Sequence, residues 1–244
     1  MEPQLYLQFS ALEDEHWWFV ARRNILNKAI SKLALPEDAE ILEAGCGTGG
    51  NLPMLDRHGR VYAMELDDVA RSLASDRGLA KIQPGRLPDD IPFARRSFDL
   101  IVLLDVLEHL DEDVASLRAL RSRLKPDGWL LLTVPAYAFL WSQHDVANHH
   151  KRRYVMRGLR RVVKRAGYDV RYVSYFNTVL FPLVAGIRLL QNWFGGDKGD
   201  DLTMPSKLVN RVLTALFASE RFLIGRFCLP FGVSLLLLAK KVER

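Results

Sequence analysis

The stretch "ILEAGCGTGGN", residues 41–51, decides the fold class. The apolar run "AEILEA" (39–44) reads as a buried strand, and the glycine-rich turn ends it and leads into a short helix. Gly45, Gly47 and Gly49 alternate, while Gly45, Gly47 and Gly50 also spell G-x-G-x-x-G. Glycines in a strand-to-helix turn let the backbone come close to a ligand at the mouth of an α/β sheet. That pattern alone does not choose the ligand.

Outward from this turn, strand and helix alternate. Residues 1–35 read as an amphipathic helical cap closed by Pro36. After the first strand come "NLPMLDRHG" (helix), "RVYAMEL" (strand), "DVARSLASDRG" (helix), "AKIQPG" (strand) and "SFDLIVLLD" (strand). "DEDVASLRALRSRL" is a helix with acids first and bases last, stopped by "KPDG" and followed by the strand "WLLLTVPA". "VMRGLRRVVKRAG" and "YDVRYVSYF" add a helix and a strand. The order predicts a core over 36–177 built on a mostly parallel sheet covered on both faces. Residues 178–227 read as a helical insertion around "GGDKGDD", with apolar pairs at 208/209, 212/213, 216/217 and 223/224 forming one stripe. Residues 228–244 return as the seventh and last strand.

Two carboxylates narrow the ligand. Glu65 ends the second strand twenty residues beyond Gly45, where an acid accepts ribose hydroxyls in NAD and S-adenosylmethionine sites alike. Glu43 stands just before the first glycine, where it would repel a pyrophosphate and favour a ligand carrying an ammonium and a sulfonium. Glu43 therefore tilts the reading to S-adenosylmethionine.

The segments "ILEAGCGTGGN", "VYAMELD", "PGRLPDDIPFARRSFDLIVLLDVLEHL" and "LRSRLKPDGWLLLTVP" together resemble the successive motifs of class I S-adenosylmethionine-dependent methyltransferases of the small-molecule type. The resemblance covers about residues 39–177 and the last strand. It implies a Rossmann-like seven-stranded α/β fold. It also implies that Gly45 and Gly47 pass under the methionine part, with Glu43 near its amino group, Glu65 on the ribose and Leu66 on the adenine. Asp105 would lie near the sulfonium, and residues after Gly85, Leu87 among them, would reach the adenine edge. Arg86 departs from the family, which often has Asp there, and cannot accept from the adenine amino group; Asp89 or a backbone carbonyl is the substitute. "HWWFVARR" (16–23) resembles segments lying over the cofactor, so Arg22 or Arg23 would pair with the methionine carboxylate.

Methyl transfer to a hydroxyl benefits from a base. "WSQHDVANHHKRRY" (141–154) follows the fifth strand and supplies His144, Asp145 and His150 as candidate catalytic residues, with His109 a lesser one. It resembles an H-D…H-x-R-R-Y pattern of a bacterial subgroup of the family. No zinc spacing is present, and no metal is expected.

The expected function is transfer of a methyl group to a small-molecule hydroxyl. The alternatives are a non-catalytic binding protein, or a lipid-linked or RNA acceptor. The net charge of +5 suits anionic partners without naming one, and no nucleic-acid module is visible. Two distant cysteines and no recognisable signal peptide suggest a cytoplasmic protein. Residues 178–194, ending in "NWF", suit peripheral membrane contact through Trp193 and Phe194, a buried cap, or a homodimer interface.

Overall fold

The structure is a computed structural model and describes residues 3–194 and 203–242, with backbone alone at 3–4 and 191–194. The turn "GGDKGDD" and the side chains of Trp193 and Phe194 lie outside the described residues. The strands are β1 (Glu40–Ala44), β2 (Arg60–Glu65), β3 (Lys81–Pro84), β4 (Phe98–Leu104), β5 (Leu124–Pro135), β6 (Tyr168–Phe176) and β7 (Ser234–Lys241). They form one sheet in the order β3-β2-β1-β4-β5-β7-β6. All neighbours run parallel except β7, which is antiparallel to β5 and β6.

Side chains alternate across this sheet with period two, and both faces are buried. Leu42, Ile101, Leu103, Leu130, Leu132, Leu235 and Leu237 enter one core, under α5 (Asp113–Arg121) and α7 (Met156–Arg165). Ile41, Leu100, Val102, Leu131 and Leu236 enter the other. That second face is covered by α2 (Trp17–Ile30), α3 (Leu52–Leu55), α4 (Asp68–Asp76) and α9 (Lys207–Ala218). The unbroken apolar runs of β4, β5 and β7 follow from this two-sided burial.

β5 starts earlier than its apolar run predicts. Leu124 already pairs with Phe98, and the ladder shifts before Leu100 meets Trp129. "KPDG" is therefore an irregularity inside the strand, with Asp127 at φ 61°.

The chain lays down β1, β2 and β3 outward, then returns to place β4 on the other side of β1. The reversal opens a crevice at the C-terminal ends of β1 and β4, where open α/β sheets take ligands. α1 (Pro3–Leu12) and α8 (Phe181–Phe194) lie at this end, and the cleft between them measures about 940 Å³.

The insertion is α8, α9 and a 3-10 turn over Ser219–Phe222. Its apolar stripe divides. Phe217 is fully buried against Trp18 and stacks on Phe176, with ring centroids 5.3 and 6.0 Å away. Leu208, Val209, Val212 and Leu216 stay exposed. Buried Glu220 anchors the insertion by accepting from the N–H groups of Asn177, Thr178 and Val179 at 2.7, 2.6 and 2.9 Å. Among the described residues no helix is long and apolar enough to cross a membrane.

Candidate functional site

The glycine turn leaves β1 with the Gly45 and Cys46 N–H groups donating to the Met64 carbonyl at 2.9 and 3.1 Å. Gly45 has φ +81°, and a Cβ there would stand 2.7 Å from Val106 Cγ2. Only glycine fits this left-handed, crowded position. Gly50 answers a different need. A Cβ on it would lie 2.1 Å from Glu13 Oε2. Glu13 also accepts from Thr48 Oγ1 at 2.8 Å and pairs with Arg77 at 2.6 Å. The third glycine of G-x-G-x-x-G thus makes room for the N-terminal cap; α3 begins two residues later, at Leu52.

Glu43 is fully buried. Its Oε1 accepts from Asn51 Nδ2 at 3.0 Å, and its Oε2 has no partner. Burial pushes its carboxyl up to about 8, against the opposing pull of Asn51 and Arg22. Glu65 is half-buried and ties the turn together, accepting from the N–H groups of Gly47, Leu66 and Asp67 at 2.8, 2.8 and 3.0 Å. Leu66, 62% exposed, forms cleft wall with Gly85, Arg86 and Leu87. Asp89 is not on that wall, and the Arg86 carbonyl already accepts from the Asp90 N–H at 2.8 Å.

Arg22 is committed more deeply than its expected carboxylate role requires. It is buried, with Nη2 2.8 Å from Asp105 Oδ2 and donating to Thr133 Oγ1 at 2.7 Å. Thr133 in turn donates to Asp105 Oδ1 at 3.0 Å. This triangle holds Asp105, at φ 58°, on the cleft wall after β4. Arg23 lines the cleft as well; the charges of Asp14 and Glu13 act on it, but among the described residues it forms no ion pair within 4 Å. Of the two arginines, Arg23 is the uncommitted one.

The cleft lining also carries three histidines, His109, His144 and His150. Asp145, on α6 (Gln143–Ala147), is wholly buried and does not line the cleft. It accepts from the Ser142 N–H at 2.8 Å, faces His150 Nδ1 at 2.8 Å, and takes both Arg153 Nε and Nη2 at 2.8 Å. Burial alone would raise its pKa, but the hydrogen bonds of His150 and Arg153 outweigh it and hold the carboxyl far below the usual range. Both oxygens of the Asp145 carboxylate are thus engaged within the protein, and it offers no free base to the cleft. Since that carboxylate is an acceptor, Nδ1 of His150 carries a proton, and Nε2 is the ring nitrogen that Asp145 leaves unengaged.

His150 meets His109 edge to face, with ring centroids 4.7 Å apart. Burial, and then the neighbouring His150, lower the pKa of His109 to about 4. Glu108, fully buried on the 3-10 turn after Asp105, completes the group. Neither of its carboxylate oxygens has a hydrogen-bond partner, and burial followed by the charge of Asp105 raises its pKa well above the usual value. Ligand-type atoms of Glu108, His109 and His150 all lie within 4.8 Å of one another. His144 also lines the cleft, its ring 6.1 Å from His150.

The remaining residues of the H-D…H-x-R-R-Y run are tied into the fold, Arg153 also lining the cleft. Arg152 and Tyr154 reach Asp113 at 3.3 and 3.1 Å, and Arg153 also donates to the Ala136 carbonyl at 3.1 Å.

A family model described as a methyltransferase domain matches residues 18–173. The chain belongs to the class I S-adenosylmethionine-dependent methyltransferases. Among curated proteins this methyltransferase is similar to the ubiquinone biosynthesis O-methyltransferase of Xanthomonas campestris pv. campestris. The two are 31% identical over 126 residues, 44% of this chain and 47% of that one. The chain thus spans about half the length of the curated relatives it matches first. Among solved structures it is similar to a methyltransferase in complex with the Haloferax volcanii Trm112 activator, with TM-score 0.66 and 17% identity. That match covers 99% of this chain and 96% of the other. It is also similar to the magnesium protoporphyrin IX methyltransferase of Synechocystis PCC 6803 with bound S-adenosylhomocysteine. There the TM-score is 0.54 and the identity 14%, over 92% and 85% of the two chains. At these identities the likeness to solved structures is one of fold.

The residues of the methyltransferase suit its donor. A buried carboxylate oxygen without a partner, on Glu43, matches an ammonium, and the open space beside Gly47 leaves the loop accessible. Three acids of consequence, Glu13, Glu108 and Glu220, carry no signal in the sequence. Each looks like an ordinary surface acid until the fold buries it.

Proposed function

We propose that the methyltransferase moves a methyl group from S-adenosylmethionine to a hydroxyl oxygen of a small molecule bound in the same cleft. The observation that carries this reading is the convergence of Glu108, His109 and an Asp145-oriented His150 in the lining of the same cleft as Gly45, Glu65 and Asp105. Two imidazoles and a carboxyl next to Asp105 are what hydroxyl activation requires. The name of the Xanthomonas relative, an O-methyltransferase, supports oxygen as the nucleophile. A cleft of about 940 Å³ has room for donor and acceptor side by side, being near the top of the range of about 300–1,000 Å³ for ligand pockets.

In this reading Glu43 holds the donor's ammonium, Arg23 its carboxylate, Glu65 the ribose hydroxyls and Leu66 one face of the adenine. The donor supplies a methyl group on a positive sulfur. The chain supplies alignment: Gly45 sets the close approach, Asp105 is fixed by Arg22 and Thr133, and Asp145 holds one tautomer of His150. Orientation of this kind can lower a barrier by up to about 7–11 kcal/mol. Val184 and Ile187 of α8, with Trp17 and Trp18, give the acceptor side apolar walls.

The test is incubation of the protein with methyl-labelled S-adenosylmethionine and fractionated extracts, followed by mass spectrometry. The expected result is a labelled product whose methyl group is on oxygen. Label only on nitrogen or carbon, or no label with the donor bound, would overturn the reading.

A second reading concerns the source of the acceptor. α8 exposes Leu183, Ile187, Leu189 and Leu190, α9 exposes Leu208, Val209, Val212 and Leu216, and Phe222, Phe227 and Phe231 follow. An apolar surface of this extent favours a lipid-linked acceptor reached by peripheral contact with a membrane.

A further inference from the structure

We infer that Glu108, His109 and His150 form a binding site for a divalent transition-metal ion on the acceptor side of the cleft. The inference deepens, and rests on, the proposed transfer to a hydroxyl oxygen. The three groups bring their ligand-type atoms within 4.8 Å of one another.

Two further observations point to a cation. Glu108 is fully buried, yet both its oxygens lack a partner. A buried carboxyl left this way costs free energy that a bound cation removes. His150 has its Nδ1 occupied by Asp145 at 2.8 Å, so the Nε2 lone pair is available. A carboxylate holding the far nitrogen is the arrangement that orients metal-ligating histidines.

The donor set narrows the ion. Two imidazole nitrogens and one carboxylate oxygen suit Zn²⁺, Co²⁺, Fe²⁺ or Mn²⁺, whereas Mg²⁺ and Ca²⁺ prefer oxygen alone. Around a tetrahedral ion with bonds of about 2.1 Å, ligand atoms stand about 3.4 Å apart. The three side chains therefore draw together on binding. Three protein ligands leave a position open, and His109, His150 and Glu108 all lie on the cleft wall with Asp105.

An ion there lowers the pKa of an acceptor hydroxyl placed at the open position. The O–H proton leaves to solvent. The oxygen–methyl bond forms as the sulfur–methyl bond of S-adenosylmethionine breaks, and that bonding pair returns to sulfur.

The test uses the whole 244-residue chain carrying Cys228→Ser, which removes an exposed thiol that would also take zinc. After treatment with a chelator, the protein is titrated with Zn²⁺ by calorimetry and with Co²⁺ by visible absorption. One ion per chain is expected. His109→Ala and His150→Ala should each weaken binding by at least about tenfold and abolish the Co²⁺ ligand-field band. Melting curves check that the variants fold; should they not, the Co²⁺ spectrum of the chain with both histidines intact decides. No stoichiometric binding, or binding that survives both substitutions, overturns the ion site. Full methyl transfer by stripped protein overturns the ion's role and leaves the proposed function standing. Stoichiometric binding without any methylated product overturns the proposed function and leaves the ion site standing.

Discussion

Asp145 Oδ1 lies 2.8 Å from His150 Nδ1 while the same carboxylate grips Arg153 through two nitrogens. One buried acid thus fixes the histidine that faces the cleft and neutralises an arginine that is itself only 3% exposed. Asp145→Asn keeps the shape but removes the charge. Activity is expected to fall about 10–100-fold, as for loss of a carboxylate that orients a functional histidine. Asp145→Ala leaves Arg153 buried and unpaired, with an expected cost of about 3–5 kcal/mol in urea unfolding. The pKa of Asp145 is lower folded than unfolded. Its contribution to stability is therefore present above its unfolded pKa of about 3.9 and lost as pH falls below that value.

Glu43 behaves in the opposite sense. Its folded pKa is raised to about 8 from an unfolded value of about 4.3. Ligand-free protein therefore loses stability as pH rises from about 4.3 through 8. An ammonium beside Glu43 favours the ionised form, so binding of S-adenosylhomocysteine releases a proton below pH 8. Affinity should climb by up to about tenfold per pH unit between pH 6 and 8 and then level off. Glu43→Gln should flatten the profile. Calorimetry in buffers of different ionisation enthalpy counts the protons, and zero release at pH 6.5 would contradict the assignment.

Gly50 and Glu13 should be coupled. Gly50→Ala places a methyl group against the Glu13 carboxylate, and such overpacking costs about 1–3 kcal/mol. It should also weaken S-adenosylhomocysteine binding, because Glu13 belongs to the cap over the cleft. Adding Glu13→Ala removes the clash, so the double variant should be less damaged than the sum of the singles. A thermal double-mutant cycle measures this, and simple additivity would count against the contact.

The exposed face of the insertion can be tested apart from catalysis. Leu208, Val212 and Leu216 recur every four residues on α9 and are all solvent-facing. The protein should co-sediment with vesicles of phosphatidylcholine and phosphatidylglycerol, and Leu208→Lys with Val212→Lys and Leu216→Lys should stay in the supernatant. Protein left in the supernatant at low salt would sink the membrane reading. A stable dimer in ultracentrifugation that the triple substitution abolishes would assign the face to a second copy instead.

Much of the fold was legible because its causes are local. The strand over residues 98–104 is buried on both faces, so it reads as an unbroken apolar run. Glu43 and Glu65 were legible as candidates for holding the donor because each sits at a fixed place relative to the glycine turn. The start of β5 was not, because Leu124 joins the sheet through a shifted ladder that no periodicity records. The stripe on α9 was legible as apolar but not as half covered, since coverage depends on how Trp18 and Phe176 meet Phe217.

The sequence by itself determined the order of strands and helices, the ligand turn and the type of donor, since these follow from periodicity, turn chemistry and charge within short segments. Tertiary structure alone decided which side chains meet in and around the cleft. Asp145 passes from candidate base to buried support, and Arg22 becomes the anchor of Asp105 while Arg23 stays uncommitted. Glu108 turns from a surface acid into the carboxyl between two histidines. Residues 108 and 150 are far apart in the chain. Their meeting depends on β4 and β5 lying side by side, and burial then sets the state of each charge in ways that no local pattern carries.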